Sequence, residues 1–153
     1  MPITQKFKEE LFEKLLSAQS AKLLALSAQI SANRENLSSA TKSSAGDKHE
    51  TGRAMLQLEQ EKLGRSYAEA EKLMQLLLRV PFDKSYDQVK VGSLFATQKG
   101  LFLLAASFGK IEHDKQEIFV LGAAAPMSQI VLGKSAGEEV EFRGEGICIS
   151  AVI

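Results

Sequence analysis

Two carboxylates three residues apart, Asp47 and Glu50, are the part of this chain best suited to chemistry. They stand in Gly46-Asp47-Lys48-His49-Glu50. On one helical turn such a pair faces the same way, and its oxygens are the donors that magnesium takes. The same spacing is also close to a capping box, in which Asp47 caps the amide of Glu50 and Glu50 reaches back. Acidic residues suit a helix N-terminus in any case. Both readings stand together, because a cap fixes the geometry that a metal site needs. Lys42, Lys48, His49 and Arg53 give the stretch mixed charge. They are either solvated or in contact with phosphates or acidic groups of a partner. His49 has no second histidine or cysteine near it in the sequence, so a zinc set is not expected there.

Elsewhere the reactive residue types stand alone. Cys148 lies in the apolar run Ile147-Cys148-Ile149 and reads as a buried, inert thiol. A single cysteine makes no disulfide framework and fits a reducing compartment. His113 sits in the polar turn Glu112-His113-Asp114-Lys115, with no serine or cysteine motif beside it. There is no nucleophile elbow, phosphate-binding loop or dinucleotide fingerprint. A self-contained active site is therefore not expected. The 153 residues carry 19 basic and 19 acidic side chains. Zero net charge argues against a general nucleic-acid coat. The N-terminus lacks an apolar signal core, and the longest apolar run, Leu101 to Ala106, is too short to cross a bilayer. These features lead us to expect a cytoplasmic protein without a membrane segment.

The elements that must position Asp47 and Glu50 are two long stripes. Phe12, Leu16, Gln19, Leu23, Leu26, Ile30, Asn33 and Leu37 step alternately by four and three, predicting a helix from 6 to about 38. Leu56, Gln60, Leu63, Tyr67, Ala70, Met74 and Leu77 repeat the spacing, and Val80-Pro81 ends it. Ser38 to Gly46 is small and polar, which predicts a turn. Two stripes joined by a short turn should pack as an antiparallel coiled coil over 6–79, with the carboxylates at its tip. Pairing within one chain, as a monomer, is expected over exchange with a second copy. After Pro81 the composition changes. Residues 81–88 read as a linker between a hairpin domain, 1–80, and a sheet domain, 89–153. Strands are predicted at Val91–Ala96, Leu101–Ser107, Glu117–Leu121, Glu139–Phe142 and Ile147–Ile153, with turns at 98–100 and 143–146 and a short helix at Pro126–Leu132. The fold class is α+β, with an antiparallel sheet. Phe95, Leu103, Phe119, Val140, Phe142 and Ile149 are its expected core, and a fragment starting at Ser85 is expected to unfold cooperatively by itself.

This plan and two motifs resemble the Gre-type transcript cleavage factors (GreA and GreB) of bacterial RNA polymerase. The family tip typically reads Gly-Asp-Leu-x-Glu-Asn-Ala-Glu-Tyr, and Gly46-Asp47-Lys48-His49-Glu50-Thr51-Gly52-Arg53-Ala54 stands in that place. The family's C-terminal motif, Ser-Pro-x-x-x-Ala-Leu-x-Gly-Lys-x-x-Gly-Asp-x-Val, is matched by Ala125-Pro126 through Val140, with Pro126, Gly133, Lys134, Gly137 and Glu138 in register. The resemblance covers nearly the whole chain. It implies a C-terminal domain similar to the FKBP fold, which docks at the rim of the polymerase's secondary channel while the coiled coil enters it. It also implies that Asp47 and Glu50 help to hold the second magnesium ion of the polymerase, which then hydrolyses a backtracked transcript. In two-metal chemistry one ion activates water and the other stabilises the leaving oxygen. On this reading the protein is not an enzyme and binds no cofactor alone. It meets nascent RNA and DNA only inside the elongation complex.

The tip departs from the family pattern. Asn-Ala-Glu-Tyr becomes Thr51-Gly52-Arg53-Ala54, exchanging a carboxylate for a guanidinium and losing an aromatic ring. The acidic Glu-Ala-Asp segment before the C-terminal motif is also missing. Two alternatives follow. One is a Gre-like regulator that binds polymerase without stimulating cleavage. The other is a helical-hairpin interaction protein outside transcription.

Overall fold

Between Ile3 and Ala45 the sequence contains no proline or glycine, and nothing interrupts the first helix. α1 runs over Gln5–Lys42. Its start is set by Thr4, whose hydroxyl accepts a hydrogen bond from the Phe7 amide at 3.0 Å. α2 runs over Asp47–Leu78. Pro81 stands three residues beyond it, where a helix can no longer continue. The computed structural model describes residues 3–42 and 47–153, with side chains described at 3–40 and 51–153. Among these residues no helix is long and apolar enough to cross a membrane.

The chain divides into two compact units, Met1–Ser17 with Gln75–Ile153, and Ala18–Met74. In the second unit the two helices run antiparallel side by side. Gln19 donates to the carbonyl of Ala70 at 2.7 Å, and Asn33 donates to the carbonyl of Leu56 at 2.9 Å and to Gln60 Oε1 at 2.8 Å. Gln19, Asn33, Leu63 and Ala70 are buried between them. Leu23, Leu26, Ile30, Leu56, Tyr67 and Met74 are half-buried. With one partner helix, a stripe residue is covered from one side only.

The first unit holds a six-stranded sheet. Its strands are β1 (Leu94–Thr97), β2 (Gly100–Leu104), β3 (Gly109–His113), β4 (Gln116–Leu121), β5 (Glu139–Phe142) and β6 (Glu145–Val152), in the spatial order β3-β4-β2-β1-β6-β5. A short helix, α3 (Pro126–Val131), lies between β4 and β5 in the chain. The sheet is mixed, which corrects the expectation of an antiparallel one: β2 and β4 are parallel, with Leu101 opposite Ile118 and Leu104 opposite Leu121. The cause is β3, a strand that the sequence patterns do not reveal. After β2 the four residues 105–108 carry the chain past one strand position, about 10 Å at two interstrand spacings. β3 forms there, and the turn at Asp114 (φ 50) and Lys115 (φ 64) brings β4 back into the gap. Two successive positive φ values match the hairpin twist.

Alternation along the strands makes both faces apolar. Phe95, Phe102, Leu104, Val140, Ile147 and Ile149 pack on one face with Met127 and Val131 of α3. Leu94, Leu103, Ile118 and Val120 pack on the other with Val80 and with Leu11, Phe12 and Leu15 of α1. Phe12 stacks on Phe82 with ring centroids 4.4 Å apart. The same alternation corrects the reading of Cys148. It is exposed, because Ile147 and Ile149 take the inward positions of β6. Phe95, Leu103, Val140 and Ile149 are buried as expected, whereas Phe119 and Phe142 are half-buried.

The expectation that a fragment from Ser85 folds alone is revised by this second face, whose cover lies in residues 11–15 and 80. Such a fragment should give no cooperative thermal transition, whereas the full chain should. In the full chain Leu15→Ala should lower stability by about 2–5 kcal/mol, read by urea denaturation. A cooperative transition in the fragment, or a loss below about 1 kcal/mol in the variant, would show that α1 does not complete the core.

Candidate functional site

The C-terminal motif residues converge on backbone rather than on a cleft. Pro126 opens α3, where a missing N–H is harmless. Gly133 and Gly137 have φ of 81 and 91, which a side chain would strain. Those two bends let the segment pair with its neighbours. Gly133 donates to the carbonyl of Val89 and the Val89 amide donates to the carbonyl of Lys134, both at 2.8 Å. The Gly137 amide reaches the carbonyl of Ile149 at 2.7 Å, and the Ile149 amide reaches the carbonyl of Glu138 at 2.9 Å. The Glu138 carboxylate closes the turn by accepting from the Ser135 amide at 2.5 Å. The motif therefore fastens the segment after α3 to Val89 on one side and to β6 on the other. Its half-buried Lys134 contributes its carbonyl to that fastening.

The carboxylate pair falls differently. α1 ends at Lys42 and α2 begins at Asp47, so Asp47, Lys48, His49 and Glu50 occupy the first turn of α2. The side chains of Lys42, Asp47, Lys48, His49 and Glu50 lie outside the described residues, and with them the capping and metal readings. Arg53, one turn on, is half-buried.

The sheet unit offers a cavity that the sequence does not announce. It is an open pocket of about 360 Å³ lined by Phe102, Phe119, Met127, Phe142 and Ile147. Phe119 and Phe102 stack with centroids 5.3 Å apart. Lys99, Arg143 and Glu145 stand at its rim. Lys99 pairs with Glu145, and this ammonium holds the Glu145 carboxyl below its usual range. Arg143 covers the Phe142 ring at 5.0 Å. A floor of apolar rings inside a charged rim can take an apolar side chain. The half-buried Phe119 and Phe142 belong to this lining. A sequence reading that sorts residues into inside and outside has no place for them.

One titratable side chain is buried without taking part in any of this. Lys8 is fully buried. Its ammonium donates to the carbonyl of Lys84 at 2.6 Å and lies 5.0 Å from the centre of the Tyr86 ring. Burial pushes its pKa down to about 8, against the upward pull of Glu9 and Asp83. In the unfolded chain the group titrates near 10.5. Between those values the unfolded chain holds more protons, so stability should rise with pH from about 8 and level off near 10.5.

The chain matches no family model, no curated protein and no solved structure. The functional reading accordingly rests on the residues and elements described above.

Lys8→Met keeps the apolar stem and removes the charge. It should raise the melting temperature at pH 7, and the gain should shrink steadily towards pH 10. A difference between the two proteins that is constant over this range would place the ammonium in water.

Proposed function

We propose that this protein is a Gre-type factor that binds RNA polymerase through its secondary channel and stimulates cleavage of backtracked transcripts. The observation that carries the proposal is the order and length of the elements. A 38-residue helix and a 32-residue helix run antiparallel and are followed by an α+β sheet unit. Asp47 and Glu50 fall in the first turn of the second helix. Helices of roughly 57 and 48 Å, at 1.5 Å per residue, are long enough to carry groups from a channel mouth to a buried centre. In this reading the helices act as the family's coiled coil, and the sheet unit, which is FKBP-like, docks at the rim. The antiparallel packing through Gln19 and Asn33 supports a stiff arm with a fixed register.

The chemistry belongs to the partner. Asp47 and Glu50 supply two carboxylates, a donor set that suits magnesium. The ion, held in the polymerase, supplies charge neutralisation at the scissile phosphate. Lys42, Lys48, His49 and Arg53 are the neighbouring groups available to polymerase side chains or RNA phosphates. Two carboxylates alone bind magnesium poorly, because this ion keeps most of its water. The isolated protein should therefore have no nuclease activity. The exchange of a family carboxylate for Arg53 favours a second reading, a polymerase-binding regulator that does not stimulate cleavage.

Added to a backtracked elongation complex of its own organism, the protein should accelerate transcript cleavage. Asp47→Asn with Glu50→Gln should abolish that acceleration and leave polymerase binding within about threefold, since the two groups act only at the tip. Their loss as caps should lower stability by roughly 1 kcal/mol, so folding is checked by circular dichroism. Equal cleavage by the folded double variant would remove the metal role. Binding without cleavage by either protein would select the regulator. Failure to bind core polymerase would select an interaction protein outside transcription.

A further inference from the structure

We propose that Glu10, His113 and Asp114 form a binding site for a divalent transition-metal ion, separate from the tip carboxylates. Glu10 lies on α1, and the other two stand at the β3–β4 turn, all within one compact unit. His113 Nε2 faces both carboxylates at once, 3.3 Å from Glu10 Oε2 and 3.7 Å from Asp114 Oδ2. All three donor atoms lie within 4.8 Å of one another. One N–H can serve one of these oxygens well and leaves the other facing a like charge. A single ion among the three atoms satisfies all of them. The spacing fits that use, because bonds of about 2.0–2.2 Å at tetrahedral angles put neighbouring ligands about 3.3–3.6 Å apart.

The ligands are also held. The His113 ring packs against Phe7, with centroids 5.1 Å apart. Asp114 is fixed by the positive-φ turn, a conformation that Asp tolerates. The His113 side chain is 15% exposed, while those of Glu10 and Asp114 are 43% and 62% exposed. A fourth position on the carboxylate side is therefore available to water. One imidazole and two carboxylates suit zinc, cobalt or nickel better than magnesium, which prefers oxygen throughout. Two carboxylates and a neutral imidazole carry the charge that a dication cancels. The cations nearby are Lys14, whose ammonium is bound to the Glu112 carbonyl, and Lys115 in the turn itself.

The test is titration of the full untagged chain with Co²⁺ and Zn²⁺, followed by Co²⁺ visible absorption and by calorimetry. One equivalent should bind with the strong absorption of a four-coordinate ion. Zn²⁺ should raise the melting temperature, because it binds the folded chain and not the unfolded one. Glu10→Gln and His113→Gln should each weaken binding at least about tenfold, the loss that removal of even an outer-shell partner produces. His49→Gln, which changes the chain's other histidine, should leave it unchanged. Asp114→Asn keeps the turn chemistry and serves if His113→Gln does not fold. The proposal is overturned if the full chain shows no saturable binding. It is equally overturned if binding survives in the folded Glu10 and Asp114 variants, or disappears with His49.

Discussion

A mixed sheet with apolar side chains on both faces needs two covers, and in this protein the covers come from opposite ends of the chain. α3 closes one face, five residues after the strand β4 that it follows. The other face waits for Leu11, Phe12 and Leu15, which precede the first strand by about eighty residues of sequence. The three are fully buried, as are Leu94, Leu103 and Ile118 opposite them. The first turns of α1 belong to the sheet's core, and the same uninterrupted helix then becomes half of the antiparallel pair.

The antiparallel pair is organised by polar groups more than by apolar ones. Most of its apolar stripe is only half-buried, so sliding by one heptad would change the apolar contact little. Gln19 and Asn33 are both buried, and each donates to a main-chain carbonyl of the facing helix. Such carbonyls recur at every residue, so the bond that marks the register is the one from Asn33 to the Gln60 side chain at 2.8 Å. A shift along the axis takes that acceptor away, at a cost of about 1–3 kcal/mol.

Much of this was legible in the residues. The four-and-three stripes and the lack of breakers gave both helices within a few positions, because a long period with no Gly or Pro has few other solutions. The strands with alternating large apolar residues were legible for the same reason. β3 was not: Gly109-Lys110-Ile111-Glu112-His113 offers one apolar residue, and an edge strand needs no more. The parallel pairing of β2 with β4 follows from where a four-residue connection goes, which residue types do not encode. Cys148 was misjudged because Ile147-Cys148-Ile149 reads as an apolar run, whereas a strand turns its middle residue outward. The C-terminal motif was visible as a pattern, but its work, two glycine bends that fasten backbone to Val89 and Ile149, joins residues far apart in sequence. Glu10 and His113 are 103 residues apart, and no local pattern can join them.

The sheet ends in β3 on one side and β5 on the other. Among the described residues neither is closed by a further strand, and an open strand is a template for another chain. With no net charge, copies of this protein have little long-range repulsion to keep them apart. The protection has to be local, and the sequence provides it there. Lys110 and Glu112 punctuate β3, Glu139 and Glu141 punctuate β5, and all four are exposed. Their alternation with inward residues places a charge at every second position along each open edge. What guards these edges is thus confined to four side chains on two short strands, where a strongly charged protein would spread its repulsion over its whole surface.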